Sequence, residues 1–130
     1  MSNPEVWGKY GWGFLHAITK GYPVNPSYTD KQNMMNFINA LGVVLPCDKC
    51  KVNFKDHLSK RPLTDDVLKT RDTFVKWMID IHNDVNQSLG KSIYTYEQVM
   101  KPGINYRLPL IACMIILFLI LYAVIVIKLQ

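Results

Sequence analysis

Cysteine is scarce in this chain: three among 130 residues, at positions 47, 50 and 113. That excludes a disulfide-built secreted scaffold, which spends many cysteines on a short chain. Charged residues are also few, at 19% against 49% apolar, and one segment accounts for the skew. No stretch alternates with period 2 for long enough to make a sheet. There is no internal repeat and no low-complexity stretch. The length suits roughly one domain of about 100–200 residues, which excludes a two-domain enzyme. Basic residues do not cluster on a groove-reading motif. Lys20, Lys31, Lys60, Lys76 and Lys91 are scattered, and only Lys49, Lys51 and Lys55 come near to a group. The formal charge of +5 therefore reads as solubility and local electrostatics rather than nucleic-acid binding.

Leu108 to Ile127 is a run of 20 residues without a charge. As a helix it would span about 30 Å, the thickness of a bilayer's hydrocarbon core. Pro109 falls in the first turn, where a missing N–H costs least. Tyr122 and Lys128 suit the far interface. The expected organisation is a folded domain over 1–101, a linker over 102–107, a transmembrane anchor over 108–127 and a short tail over 128–130. The first residues carry no apolar run, so no signal peptide is expected. Lys101 and Arg107 outnumber Lys128 across the anchor, which places the domain in the cytoplasm. Cys113, inside the run, reads as inert packing, with palmitoylation the less natural alternative.

The upstream part reads as helices. Asn3-Pro4-Glu5 is a helix start, followed by Trp12, Leu15 and Thr19 at helical spacing. Gly8, Gly11 and Gly13 cost near 1 kcal/mol each in a helix interior, which suggests a close approach to the backbone. Gly21-Tyr22-Pro23 ends the element. Thr29 or Asp30 is placed to cap a second helix, carrying Met34, Phe37, Ile38, Leu41 and Leu45. Pro46 opens a third, with Cys47, Cys50, Phe54 and Leu58 on one face. A fourth runs from about Asp72 to Leu89, with Phe74, Trp77, Met78, Ile81 and Val85 at period 3.6, stopped by Gly90. Thr95-x-x-Gln98 has the form of a capping box and opens one short helix.

Cys47-Asp48-Lys49-Cys50 stands at the first turn of a helix. One use is redox exchange: first-turn N–H groups and nearby Lys49 and Lys51 stabilise a thiolate, and the spacing lets the sulfurs close a ring. A second is zinc, but four ligands are needed and none of His16, His57 and His82 has paired ligand spacing. The third is chance proximity. A thioredoxin-type fold would need strands that this chain does not offer. Trp12 and His16 are spaced i, i+4 on one helix. His82 and Asn86 are so spaced on another, with Asn83 adjoining. Singly, each is most simply a core or surface residue. Together, beside a dithiol, they could line a slot for a flat heteroaromatic ligand.

These residues, in this order and spacing, resemble the Erv/ALR family of FAD-linked sulfhydryl oxidases. The motifs are Trp12-Gly-Phe-Leu-His16, Tyr22-Pro23, Pro46-Cys47-Asp48-Lys49-Cys50, and Trp77 with His82-Asn83-Asp84-Val85-Asn86 running on to Leu89-Gly90-Lys91. They cover about residues 6–100. The resemblance implies an all-α fold: a four-helix bundle with a short fifth helix, holding FAD at one end. It implies that Gly8, Lys9, Trp12, His16, Cys50, His82, Asn83, Val85, Asn86 and Lys91 bind the cofactor, with no metal. Cys47 and Cys50 would be catalytic, Cys47 facing substrate and Cys50 facing the isoalloxazine. Electrons would pass from a partner dithiol, such as a thioredoxin- or glutaredoxin-like carrier, through the cysteine pair and FAD to O2, giving hydrogen peroxide. A homodimer through the first two helices is implied as well. No shuttle dithiol exists, and Ile79 and Tyr96 stand where some members have a disulfide clip. The compact domain and membrane tail look like the forms of large DNA viruses, which extends the expected location to a virion membrane. The competing expectation is a non-catalytic, tail-anchored helical adaptor with zinc at the cysteine pair.

Overall fold

A computed structural model describes residues 3–101 and 114–120. Within residues 3–101 five helices run in order: α1 (Pro4–Gly21), α2 (Tyr28–Val44), α3 (Asp48–Lys60), α4 (Arg71–Ser88) and α5 (Tyr96–Met100), with a 3-10 turn at Val67–Lys69 before α4. The expected all-α architecture of four long helices and a short fifth is what forms.

Local chemistry sets the boundaries. The Asn3 side chain accepts from the Glu5 N–H at 2.9 Å, with Pro4 in the first turn. Helix α2 starts earlier than expected. Ser27 caps it, and Asp30 returns the bond to the Ser27 N–H at 2.8 Å, so Asp30 closes a capping box rather than serving as the cap. Thr70 caps α4 through the Thr73 N–H at 3.2 Å. The Thr95 and Gln98 side chains bond each other's backbone N–H at the head of α5, as the capping-box form predicts. Gly90 follows α4 with φ +66°, a conformation glycine adopts without strain.

Helix α4 is the central element. Phe74, Val75, Met78, Ile79 and Ile81 are buried along it, and Leu15, Ile38, Phe54 and Leu68 pack around it. Burying each such side chain contributes about 1.5–3 kcal/mol. Tyr22 closes the far end of α1: its hydroxyl donates to the Leu68 carbonyl at 3.1 Å, its ring meets Phe74 edge-on at 5.1 Å, and Arg71 Nε donates to its carbonyl. The Tyr22-Pro23 motif is thus a structural pin.

The register follows from paired contacts. Tyr22 meets Phe74 while His16 meets His82, so α1 and α4 are antiparallel. Trp77 Nε1 donates to the Arg61 carbonyl at 3.0 Å, and the Arg61 guanidinium pairs with Asp84. Further back on α3, His57 shares a groove with Asp84, Gln87 and Ser88. Helices α3 and α4 are therefore antiparallel too. The N-termini of α1 and α3 and the C-terminus of α4 lie at one end of the bundle.

Residues 114–120 form a helical segment with exposed apolar side chains from Met114 to Ile120. Among the described residues, no helix is long and apolar enough to cross a membrane. The rest of the expected 108–127 anchor, the 102–107 linker, Cys113 and Lys128 lie outside the described residues.

Candidate functional site

Cys47 and Cys50 form a disulfide with Cα atoms 5.1 Å apart, inside the range a disulfide requires. Cys47 is the N-cap residue of α3, and its sulfur accepts from the Cys50 N–H at 3.2 Å. An N-cap sulfur faces the orphan N–H groups and the positive end of the helix dipole. Both favour a thiolate once the bond is reduced. Lys51 is tied to Asp48 at 2.9 Å, which discounts its charge. Both cysteines are half-buried. Cys50 shares the inward face of α3 with Phe54 and His57, while Cys47 sits at the helix mouth.

A second cluster lies between α1 and α4. Trp12 and His82 stack with ring centroids 4.0 Å apart and planes 8° from parallel. His16 Nε2 and His82 Nδ1 are 2.9 Å apart. The Tyr94 ring adds a further contact to His82 at 5.2 Å. Burial, then the neighbouring His16 and Lys91, lowers the His82 pKa to about 4. Burial, then Lys20, lowers that of His16. Both rings are neutral at pH 7, so one donates to the other across the 2.9 Å contact. His16 Nδ1 is left buried with no hydrogen-bond partner. Trp7 Nε1, on the first turns of α1, is left the same way. A buried donor or acceptor without a partner costs about 1–3 kcal/mol.

The structure gathers Trp12, His16 and His82 into one cluster, with Lys91 close enough to act on His82 electrically. Asn86 is buried, and its carbonyl accepts from the Lys91 N–H at 2.8 Å. Val85 is half-buried on the same helix. The Asn83 side chain makes two hydrogen bonds to the Tyr94 backbone. Its Oδ1 accepts from the Tyr94 N–H and its Nδ2 donates to the Tyr94 carbonyl, both at 2.8 Å. It clips the segment after α4 to the bundle. Gly8 faces inward, and a Cβ placed on it meets nothing within 4 Å. Lys9 is exposed and joins no described contact. Trp7 and Tyr94 were missed from sequence. The i, i+4 pairing of Trp7 with Gly11 was the available signal for the first; nothing local marks the second.

The dithiol belongs to the same end of the bundle as the ring cluster. Cys50 lies two helical turns before His57, which is level with Asp84 to Ser88. It therefore sits about 10 Å beyond that level, past the end of α4. Among the described residues, no three His, Cys, Asp or Glu side chains converge to hold a metal ion.

A helical bundle with a disulfide at one helix mouth, and unsatisfied rings packed at the same end, defines a class of redox proteins built without a sheet. The Erv1/Alr family model matches residues 9–103, and the chain belongs to that family. It is 52% identical over 99 residues to a probable FAD-linked sulfhydryl oxidase of Acanthamoeba polyphaga mimivirus, covering 76% of this chain and 69% of that protein. It is 32% identical over 95 residues to the FAD-linked sulfhydryl oxidase ERV1 of Arabidopsis thaliana, covering 73% of this chain and 48% of that longer protein. The crystal structure of the yeast Erv1 core superposes with a TM-score of 0.71 at 26% identity, over 78% of this chain and 83% of that one. The crystallised FAD-binding domain of Saccharomyces cerevisiae Erv1 matches equally, over 93% of its length.

Proposed function

We propose that this chain is an FAD-dependent thiol oxidase whose working dithiol is Cys47–Cys50. One observation carries the reading: a closed disulfide whose outer sulfur caps α3, at the same end of the bundle as the Trp12–His16–His82 cluster. The residues present fit a flat, hydrogen-bonding cofactor. Two buried ring nitrogens have no protein partner, and open space lies beside the inward Gly8. Trp12 and His82, stacked on each other, would offer such a cofactor an aromatic surface. His16, His82, Val85, Asn86 and Lys91 hold the nucleotide side, with Lys91 a charge for phosphate; Gly8 and Lys9 border the entrance.

The chain's own chemistry is thiol–disulfide exchange. A substrate thiolate attacks Cys47 Sγ, the Cys47–Cys50 bond breaks, and Cys50 leaves as a thiolate. A second substrate thiolate attacks the mixed disulfide at the substrate sulfur, releasing oxidised substrate and the Cys47 thiolate. The helix N-terminus stabilises Cys47 as that leaving group. FAD, when bound, would supply the two-electron acceptor for the reduced pair and the route from it to O2, giving hydrogen peroxide. Two thiols and one O2 thus yield one disulfide and one H2O2.

Thioredoxin- or glutaredoxin-like dithiol carriers fit as partners, because the half-buried Cys47 sits at the mouth of α3, where a partner thiolate can reach it. The exposed stripe Val6, Tyr10 and Phe14 on α1 supports a homodimer. The 20-residue uncharged run supports a single-pass anchor with the domain on the cytoplasmic side, in a cell or virion membrane; protease protection in sealed membranes tests that orientation.

The decisive experiment is oxygen uptake by the purified protein with dithiothreitol. The expected result is a yellow protein that consumes O2 and makes H2O2, with Cys50→Ser and Cys47→Ser each retaining FAD and losing turnover at least a hundredfold, roughly the scale of losing a nucleophile. A colourless protein carrying stoichiometric zinc would establish the adaptor instead.

A further inference from the structure

The inward side of α1 changes character along its length. Toward the closed end it carries Leu15 and Thr19, both buried. Toward the end shared with the dithiol, the same side carries Gly8 and Gly11. Trp7 and Trp12 flank these glycines, about 140° apart around the helix at 3.6 residues per turn. All four residues are half-buried, whereas Lys9 and Tyr10 between them are exposed. The Trp7 ring lies against the bare backbone of Gly11, and the space beside Gly8 is open. A Cβ on Gly8 would meet nothing within 4 Å, and one on Gly11 would meet only the Trp7 ring, at 3.4 Å. The Trp7 indole N–H is buried in this setting and has no acceptor. Indole N–H groups ordinarily find a partner when buried, and an exception calls for an explanation. Trp12 differs, since its ring is committed to His82. Trp7 has a donor left to give.

We infer that Trp7 binds the cofactor, its indole N–H donating to a carbonyl or ring nitrogen on the isoalloxazine edge, beside the open space at Gly8. This rests on the oxidase reading above and adds a contact to it. The dithiol end of the bundle is where a ring must lie to receive electrons from Cys50. The isoalloxazine edge is rich in acceptors. A donor aimed there stabilises the electron-rich reduced ring more than the oxidised one, so Trp7 helps set how readily the dithiol is drained.

The test is Trp7→Phe in the full-length protein, which keeps an aromatic ring and deletes the N–H. Far-UV circular dichroism checks that the helices remain. The expected results are FAD release faster by about tenfold, the scale of one well-placed hydrogen bond, a shifted visible flavin band, and a lower flavin midpoint potential. The last two report on the ring's electronic environment, which a purely packing role would leave unmoved. A variant indistinguishable from wild type in all three would overturn the inference. FAD loss with an unmoved band and potential would overturn the isoalloxazine assignment by placing the contact elsewhere on the cofactor. A wild-type protein that neither contains nor takes up FAD would sink the oxidase reading itself, an outcome separate from either result with the variant.

Discussion

At the scale of single residues, His82 concentrates the most physics. It stacks on Trp12, meets His16 at hydrogen-bond distance and touches Tyr94. Such a ring pair is worth about 0.5–1.5 kcal/mol beyond the area it buries. His82→Ala therefore loses stability as well as cofactor. In a domain this size each kcal/mol shifts Tm by about 4–8 °C, so a drop of that order is expected in thermal melts. FAD content in the same samples falls with it; full FAD occupancy in His82→Ala would break the link between this cluster and the cofactor. The ring also makes the fold acid-sensitive. Its pKa is about 4 when folded and about 6.5 when unfolded. Above 6.5 both states are neutral and nothing is lost. As pH falls from 6.5 toward 4 the unfolded chain takes up the proton first, so stability declines across that window and levels off below it. The ring is partly open to solvent, and screening moderates the effect. Melts between pH 7 and 4.5 should show the decline, and His82→Ala should flatten it. His16, shifted the same way, leaves a residual slope.

At the scale of elements, the segment after α4 is held to the bundle by polar contacts. Asn83 holds Tyr94 with two hydrogen bonds, Tyr96 donates to Asp72 at 3.3 Å and lies under Lys76, and Lys20 donates to the Val99 carbonyl. Each bond nets about 1 kcal/mol. Asn83→Ala removes two at once, for an expected loss of about 1–2 kcal/mol. Amide exchange at Tyr94 should quicken while that of Ile81 stays slow; equal protection at Tyr94 would show the segment held by something else. This is also where sequence reading reached its limit. The long helices were legible because their caps and period-3.6 stripes are local: Asn3, Thr95 and Gln98, and the run from Phe74 to Val85. The start of α2 was misplaced because Asp30 looks like a cap and is the other half of a capping box begun at Ser27. The 3-10 turn at Val67–Lys69 is too short to carry a period. At the site, Trp12, His16, Cys47, Cys50 and His82 were readable from motif and spacing. The double clip from Asn83 to Tyr94 and the unpartnered Trp7 were not, because each depends on what the folded chain brings alongside.

At the scale of the whole molecule, the bundle closes around α4 at one end and leaves the other underfilled. The closed end has Tyr22 pinned to Leu68, Phe74 fully buried and Thr19 with no exposure. The open end has the inward Gly8, with nothing within 4 Å of a Cβ placed on it, and two buried ring nitrogens without partners. A ligand that binds only the folded chain stabilises it by mass action, by about 2.7 kcal/mol when free ligand stands at a hundred times its dissociation constant. FAD bound at the open end would stabilise the fold on that scale. Stripping FAD should lower Tm by about 10 °C or more, taking 4–8 °C per kcal/mol. Re-addition should restore it in a concentration-dependent way, and apoprotein amide exchange should quicken first along the N-terminal half of α1 and the C-terminal half of α4. Exchange that quickens evenly across the bundle would mean that the cofactor stabilises the molecule as a whole, and that the open end is no weaker than the closed one.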